Sequence, residues 1–217
     1  MSPPLAVAFD LDYTLAVTDR DRQALLDDAT ERAGAPPLAR GDYLDAHGTV
    51  AATETRAPIF DRLLTDGTDP ETVATAYRRA IEDALEPVAG VADLLEALRE
   101  DYRVGLLTDG PQTAQRGKLD ELEWAGLFDA VVITGTLPAG KPDERAFAAI
   151  CSELGVEPVE TAYVGDRPEV DVAGAAAAGL ATVQVCYPGG PDPHPAADAT
   201  VARDELVETL PDILAAL

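Results

Sequence analysis

Short runs of consecutive apolar residues punctuate this chain, and the stretches between them carry apolar positions three and four residues apart. Residues 5–9 read LAVAF, and similar runs occupy 103–107, 130–133, 161–164 and 181–185. Each run is too short for a helix, and its lack of alternation suits a parallel strand covered on both faces. The intervening stretches at 91–100, 113–124, 144–154 and 169–178 have helical spacing. Strands alternating with helices predict an α/β fold built on a doubly wound, Rossmann-like parallel sheet.

The rhythm breaks between residues 17 and 87. Four helical patterns, at 21–34, 41–47, 51–65 and 69–85, are joined there by polar, Gly- or Pro-bearing segments, and none of the stretch reads as a strand. An inserted all-helical subdomain over 17–87 is therefore expected, with a core of residues 1–16 and 88–217. Pro87 and Gly90 mark the return to the sheet. A loop-rich segment, PGGPDPHP at 188–195, precedes a last helical pattern at 204–217.

Composition narrows the classes of function. The 217 residues carry a formal net charge of −24, and only Lys118 and Lys141 among the 16 basic residues are lysines. Such a field repels nucleic acid and anionic lipid, and no apolar run is long enough to span a bilayer. The segment MSPPLAVAFDLD lacks the basic start of a signal peptide. Cys151 and Cys186 show no CxxC spacing and fit reduced thiols in a cytoplasm. The expected partner is a small molecule, with no nucleic acid and no membrane, and the chain is expected to be a monomer or homodimer. The acidic, lysine-poor, alanine-rich composition also resembles that of halophilic proteins.

Open parallel sheets bind ligands outside the carboxyl ends of their strands. At those ends stand Asp10, Asp12 and Thr14 in FDLDYTL, Thr108 and Asp109 in LLTDG, and Asp166 and Asp171 in VGDRPEVD. Lys141, in GKPDE, stands ahead of the third main helix. A lone D-x-D-x-T is weak evidence, and Asp19 with Asp21 shows how easily D-x-D arises. Four such elements in order, each at the same edge, are far harder to produce by accident.

Those motifs, DLDYT, LLTDG, GKPD and GDRPEVD, resemble the four motifs of the haloacid dehalogenase (HAD) superfamily, with residues 17–87 where members with a helical cap carry it. PQTAQRGKL at 111–119 is similar to a stretch of the phosphoglycolate-phosphatase-like and nucleotidase-like branch. The resemblance implies a magnesium ion held by Asp10, the main-chain carbonyl of Asp12, and Asp166, with Asp171 in support.

Chemistry argued from the residues runs the same way. A phosphoryl group among these carboxylates needs an intervening cation, and Mg2+ takes oxygen ligands from a few acids while keeping some waters. With that charge offset, Asp10 is the expected nucleophile, forming an aspartyl-phosphate. Lys141 keeps Asp10 ionised. Thr108, with Asp109 and Lys141, is expected to bind the phosphate oxygens. Asp12 is placed to protonate the leaving alcohol and then to deprotonate water.

A halide leaves without a proton, so Asp12 favours phosphate esters over 2-haloacids. A phosphomutase on the same core is the other enzymatic alternative. A receiver-like phosphoacceptor is the non-enzymatic one, although receivers lack an insertion after the first strand. Tyr13 and Asp109 depart from the residues common in relatives. His47 and His194 lack ligand spacing, Trp124 reads as core, Arg56 lies in the helical insertion, and Arg167 lies inside an acidic motif.

The charge makes a prediction of its own. Self-repulsion among surface acids is screened over roughly 3 Å in molar salt. The melting temperature is expected to rise from dilute buffer to molar KCl, and thermal denaturation at the two salt levels checks this.

Overall fold

The structure, a computed structural model, describes residues 4–50 and 53–217. The strands are β1 (Ala6–Phe9), β2 (Ala16–Thr18), β3 (Leu85–Pro87), β4 (Arg103–Thr108), β5 (Ala130–Ile133), β6 (Thr161–Gly165), β7 (Ala181–Cys186) and β8 (Ala199–Ala202). The α-helices are α1 (Arg22–Ala33), α2 (Arg40–Thr49), α3 (Ala57–Leu63), α4 (Pro70–Asp83), α5 (Val91–Leu98), α6 (Gln112–Glu121), α7 (Glu144–Leu154), α8 (Ala173–Ala177) and α9 (Leu206–Ala216). None of the described helices is long and apolar enough to cross a membrane.

Two compact units divide the chain. The first comprises residues 1–17, 87–109 and 123–217. Its six-stranded sheet has the order β5-β4-β1-β6-β7-β8, with every pair parallel. All four residues of β1 and all five of β6 are buried, which is why these strands read as unbroken apolar runs. From β1 the chain builds outward through β4 and β5, then returns to place β6 on the other side of β1. That reversal makes β1 the switch point, where a crevice opens at the carboxyl edge.

Beneath one face, Phe147, Ile150, Cys151 and Leu154 of α7 pack with Ala6, Ala8, Leu107 and Tyr163 of the sheet. The Phe147 and Tyr163 rings meet edge to face, with centroids 5.2 Å apart. Asp143 caps α7 by accepting from the Arg145 backbone N–H, and Gly155 ends the helix in the left-handed conformation. Trp124 is buried, as a core residue should be.

The second unit comprises residues 18–86 and 110–122. In α4 the buried positions Val73, Ala74, Tyr77, Ala80 and Ile81 form one helical stripe. They pack against Leu25, Leu26 and Ala29 of α1 and against Tyr43, Ile59 and Phe60. Asp21 and Asp69 cap α1 and α4, and Gly34 closes α1. The third helix is shorter than its expected span of 51–65: it begins at Ala57, and residues 51 and 52 lie outside the described residues.

The sequence pattern counts α6 with the sheet, as part of 88–217, but it belongs to this second unit. The backbone N–H groups of Gln112 and Thr113 donate to the carbonyls of Thr53 and Glu54 at 2.8 and 3.0 Å. Gly117 also lies so close to the Arg78–Glu82 ion pair that a Cβ there would fall 1.8 Å from Glu82 Oε1. The strands β2 and β3 form a separate two-stranded sheet.

Candidate active site

Each candidate residue owes its place to the end of a strand or the start of a helix. Asp10 follows β1, and its backbone N–H continues the ladder by donating to the Val164 carbonyl at 2.9 Å. Thr108 is the buried last residue of β4, with Asp109 next. Lys141 precedes the Asp143 cap of α7. Asp166 follows β6, and Asp171 lies on a π-helical turn over Pro168–Val172 rather than on the regular helix expected from 169. Asp12 is half-buried in the turn after β1, where it bridges to Ala16. Next to it Tyr13 adopts φ 64°, a left-handed conformation that costs a non-glycine residue energy.

Lys141 organises the cluster. Its Nζ donates to Asp10 Oδ1 and Asp171 Oδ1, both at 2.7 Å, and to Tyr163 Oη at 2.8 Å. Tyr163 Oη in turn donates to the Leu107 carbonyl at 3.0 Å. The Leu107 carbonyl is a fourth acceptor, 3.2 Å from Nζ, so the three hydrogens of the ammonium are shared among four oxygens. Burial works against the Lys141 charge, but Asp10, Asp171 and Tyr163 outweigh it and hold its pKa well above the usual lysine value.

The acids differ in how well they are balanced. Asp171 accepts at Oδ2 from the Arg167 backbone N–H at 2.9 Å, with Arg167 Nε 3.5 Å away. Burial pushes its pKa up, but Lys141 and Arg167 overcome that and hold it below the ordinary carboxylate value. Asp10 has a share of Lys141 and the smaller effect of the Arg167 charge, which do not outweigh its burial. Burial therefore lifts it to about 6, with Asp171 adding to the rise and Lys141 opposing it. Asp166 accepts at Oδ2 from Tyr187 Oη at 3.1 Å, while its Oδ1 is buried without a partner. Burial, then Asp10 and Asp171, raise it to about 7.

Asp109 is a brace. Its Oδ1 accepts from Thr134 Oγ1 at 2.9 Å and from the Lys141 backbone N–H at 3.1 Å, and its Oδ2 accepts from Arg167 Nη2 at 3.0 Å. The side chain thus ties the end of β4 to the loops carrying Lys141 and Arg167.

These residues fit a hard divalent cation. One carboxylate oxygen from each of Asp10, Asp166 and Asp171 lies within 4.8 Å of the others, and Asp166 Oδ1 is a buried acceptor without a hydrogen-bond partner. Asp10, Asp109, Asp166 and Asp171 face two buried or part-buried cations, Lys141 and Arg167, which leaves an excess of negative charge. Gly165 is part of the fit, because a Cβ there would lie 2.6 Å from the Asp171 Cβ.

Tyr163, Thr134 and Tyr187 join the site without having been singled out in the sequence. Thr134 directly follows β5 and Tyr187 directly follows β7, so the rule of strand ends names both. Tyr163 lies inside β6, where its ring reads as core and gives no such signal. His47 and His194 take no part in the acidic cluster.

The fold and the site together define a Rossmann-like α/β protein whose acids and buried lysine converge at the switch point of its sheet. The chain belongs to the haloacid dehalogenase-like hydrolase family, whose model matches residues 4–179. It is 30% identical over 217 residues to phosphoglycolate phosphatase 1 of Pseudomonas aeruginosa, covering 96% of this chain and 79% of that protein. Over 94 residues it is 44% identical to a phosphoserine phosphatase of Thermus thermophilus, covering 43% of this chain and 38% of that one. The chain spans about half the length, or less, of several curated relatives it matches. The crystal structure of a HAD phosphatase from Thermococcus onnurineus superposes with a TM-score of 0.71 at 27% identity, over 97% of this chain and 98% of that one.

The raised acids predict a pH-dependent response to metal. Asp10 and Asp166, with an ordinary value of 3.8, rise to about 6 and about 7 in the folded protein, so folding takes up protons between the ordinary and the raised values. Their contribution to stability is complete below pH 3.8 and is lost as pH rises through 6 to 7. Millimolar Mg2+ is therefore expected to raise the melting temperature more at about pH 7.5 than at about pH 5. Equal gains at the two pH values would exclude these carboxylates as its ligands.

Proposed function

We propose that this protein is a magnesium-dependent phosphatase acting on small phosphomonoesters, with Asp10 as the nucleophile. The observation that carries this reading is the Asp10 carboxylate, buried at the end of the central strand with Lys141 on Oδ1 and carboxylate oxygens of Asp166 and Asp171 within 4.8 Å. The relatives named as phosphatases support the reaction class.

In the reaction, an Asp10 oxygen attacks phosphorus in line and the bond to the ester oxygen breaks. Asp12, two residues along the same turn, gives its proton to the departing alkoxide. The product alcohol leaves Asp10 as an aspartyl-phosphate. Asp12, now ionised, takes a proton from water, whose oxygen attacks the same phosphorus and releases inorganic phosphate and Asp10. Lys141 holds Asp10 ionised and oriented, while Thr108 offers its hydroxyl to the transferring oxygens. Bound at Asp10, Asp166 and the Asp12 main-chain carbonyl, Mg2+ would neutralise the phosphoryl charge. Asp171 serves by fixing Lys141 and the Arg167 backbone, since both its oxygens are occupied there.

Asp10→Asn is expected to abolish turnover of metabolite phosphates, assayed with Mg2+ in molar KCl, while leaving the circular dichroism spectrum unchanged. Retained turnover would end the nucleophile assignment. Asp12→Asn is expected to slow alkyl phosphates by about 10²-fold or more and p-nitrophenyl phosphate much less, because a phenolate leaves without full protonation. Comparable losses on both would remove the acid role.

A further inference from the structure

Asp166 presents its two oxygens to different surroundings. One, Oδ1, is buried with no hydrogen-bond partner; the other, Oδ2, accepts from Tyr187 Oη at 3.1 Å. Tyr187 is itself held on three sides. Its ring stacks on that of Tyr13 with centroids 5.9 Å apart and planes at 22°. The Arg203 guanidinium lies 4.2 Å from the ring centroid, and Arg203 Nη1 also donates to the Tyr13 carbonyl at 3.3 Å. Beneath the ring lies Gly190, where a Cβ would come within 2.8 to 3.0 Å of three ring atoms. The turn that brings Gly190 there is closed by its N–H donating to the Tyr187 carbonyl at 2.9 Å, with Gly189 at φ 77°.

We propose that Tyr187 is a positioning residue that reserves Asp166 as a one-oxygen ligand, and that it thereby makes the cation site discriminate Mg2+ from Ca2+. The inference rests on the cation-binding part of the function proposed above. A carboxylate whose second oxygen is tied to a fixed phenol cannot easily turn both oxygens toward one ion. Mg2+ needs near-octahedral single-oxygen ligands at short distance, so it loses nothing by this. Ca2+ takes six to eight oxygens at longer range and readily accepts both oxygens of a carboxylate, so the tether withholds a ligand from it. Tyr13, Arg203 and Gly190 contribute by keeping the phenol in place.

Calorimetric titration of the full chain with MgCl2 and separately with CaCl2, in molar KCl, tests this without an activity assay. Tyr187→Phe is expected to weaken Mg2+ binding about tenfold while leaving Ca2+ binding unchanged or tighter. Gly190→Ala keeps the hydroxyl but displaces the ring, and is expected to shift the ratio of the two affinities in the same direction. Asp166→Asn is the reference for loss of the ligand itself. If the wild-type protein binds Mg2+ and Asp166→Asn does not, yet Tyr187→Phe retains the wild-type ratio, the inference is overturned and the cation site stands. Equal weakening for both ions also overturns it, since a general loss of packing would do the same. If the wild-type protein binds neither ion, the cation site and the inference fall together.

Discussion

An ammonium shut away from water must find its hydrogen-bond acceptors inside the protein, and Lys141 finds them in Asp10, Asp171, Tyr163 and the Leu107 carbonyl. Removing any one of these partners would leave a buried charge or polar group uncompensated, a loss costing more than the net worth of the contact. The constraint reaches outward from there. Asp171 needs the Arg167 backbone as well as Lys141, Arg167 needs Asp109, and Asp109 holds both Thr134 and the Lys141 backbone. Lys141 is thus gripped at its side chain by the acids and at its main chain by Asp109, which also holds Arg167.

The sheet makes that closed circuit possible. Asp10 and Lys141 are 131 positions apart, and what joins them is the strand order that sets β4 and β6 on either side of β1. A polar network of this density would be intolerable in mid-sheet. At the carboxyl edge of the switch point the strands end and their loops diverge, so side chains can meet there without breaking the ladder.

Much of this was legible in the sequence because burial on both faces leaves an unmistakable run of apolar residues. β5 and α7 have the bounds their patterns predict, and the other central strands differ by one residue at an end. β8 escaped notice because only Val201 of its four residues is fully buried, as befits a strand at the edge. β2 and β3 are three residues each, too short to carry a period. Helical spacing identifies α6 but says nothing about which unit it packs in, and that was settled by hydrogen bonds to Thr53 and Glu54 and by the absence of a side chain at Gly117. In the site, the motif acids and Lys141 announce themselves by type and position. Asp109, expected among the phosphate-binding residues, spends its side-chain oxygens on Thr134, the Lys141 backbone and Arg167, partners from distant segments that no local pattern connects.

The contact between Gly165 and Asp171 bears on how such a chain can diverge. With the two Cβ positions only 2.6 Å apart, no side chain can appear at 165 unless 171 moves, and 171 cannot move without releasing Lys141. A single codon change at the end of β6 would therefore reach Asp10 through two intermediaries. Thr200, exposed on β8 at the rim of the same sheet, meets no such constraint. Gly165 is thus held to a bare hydrogen by a neighbour that Lys141 fixes in turn.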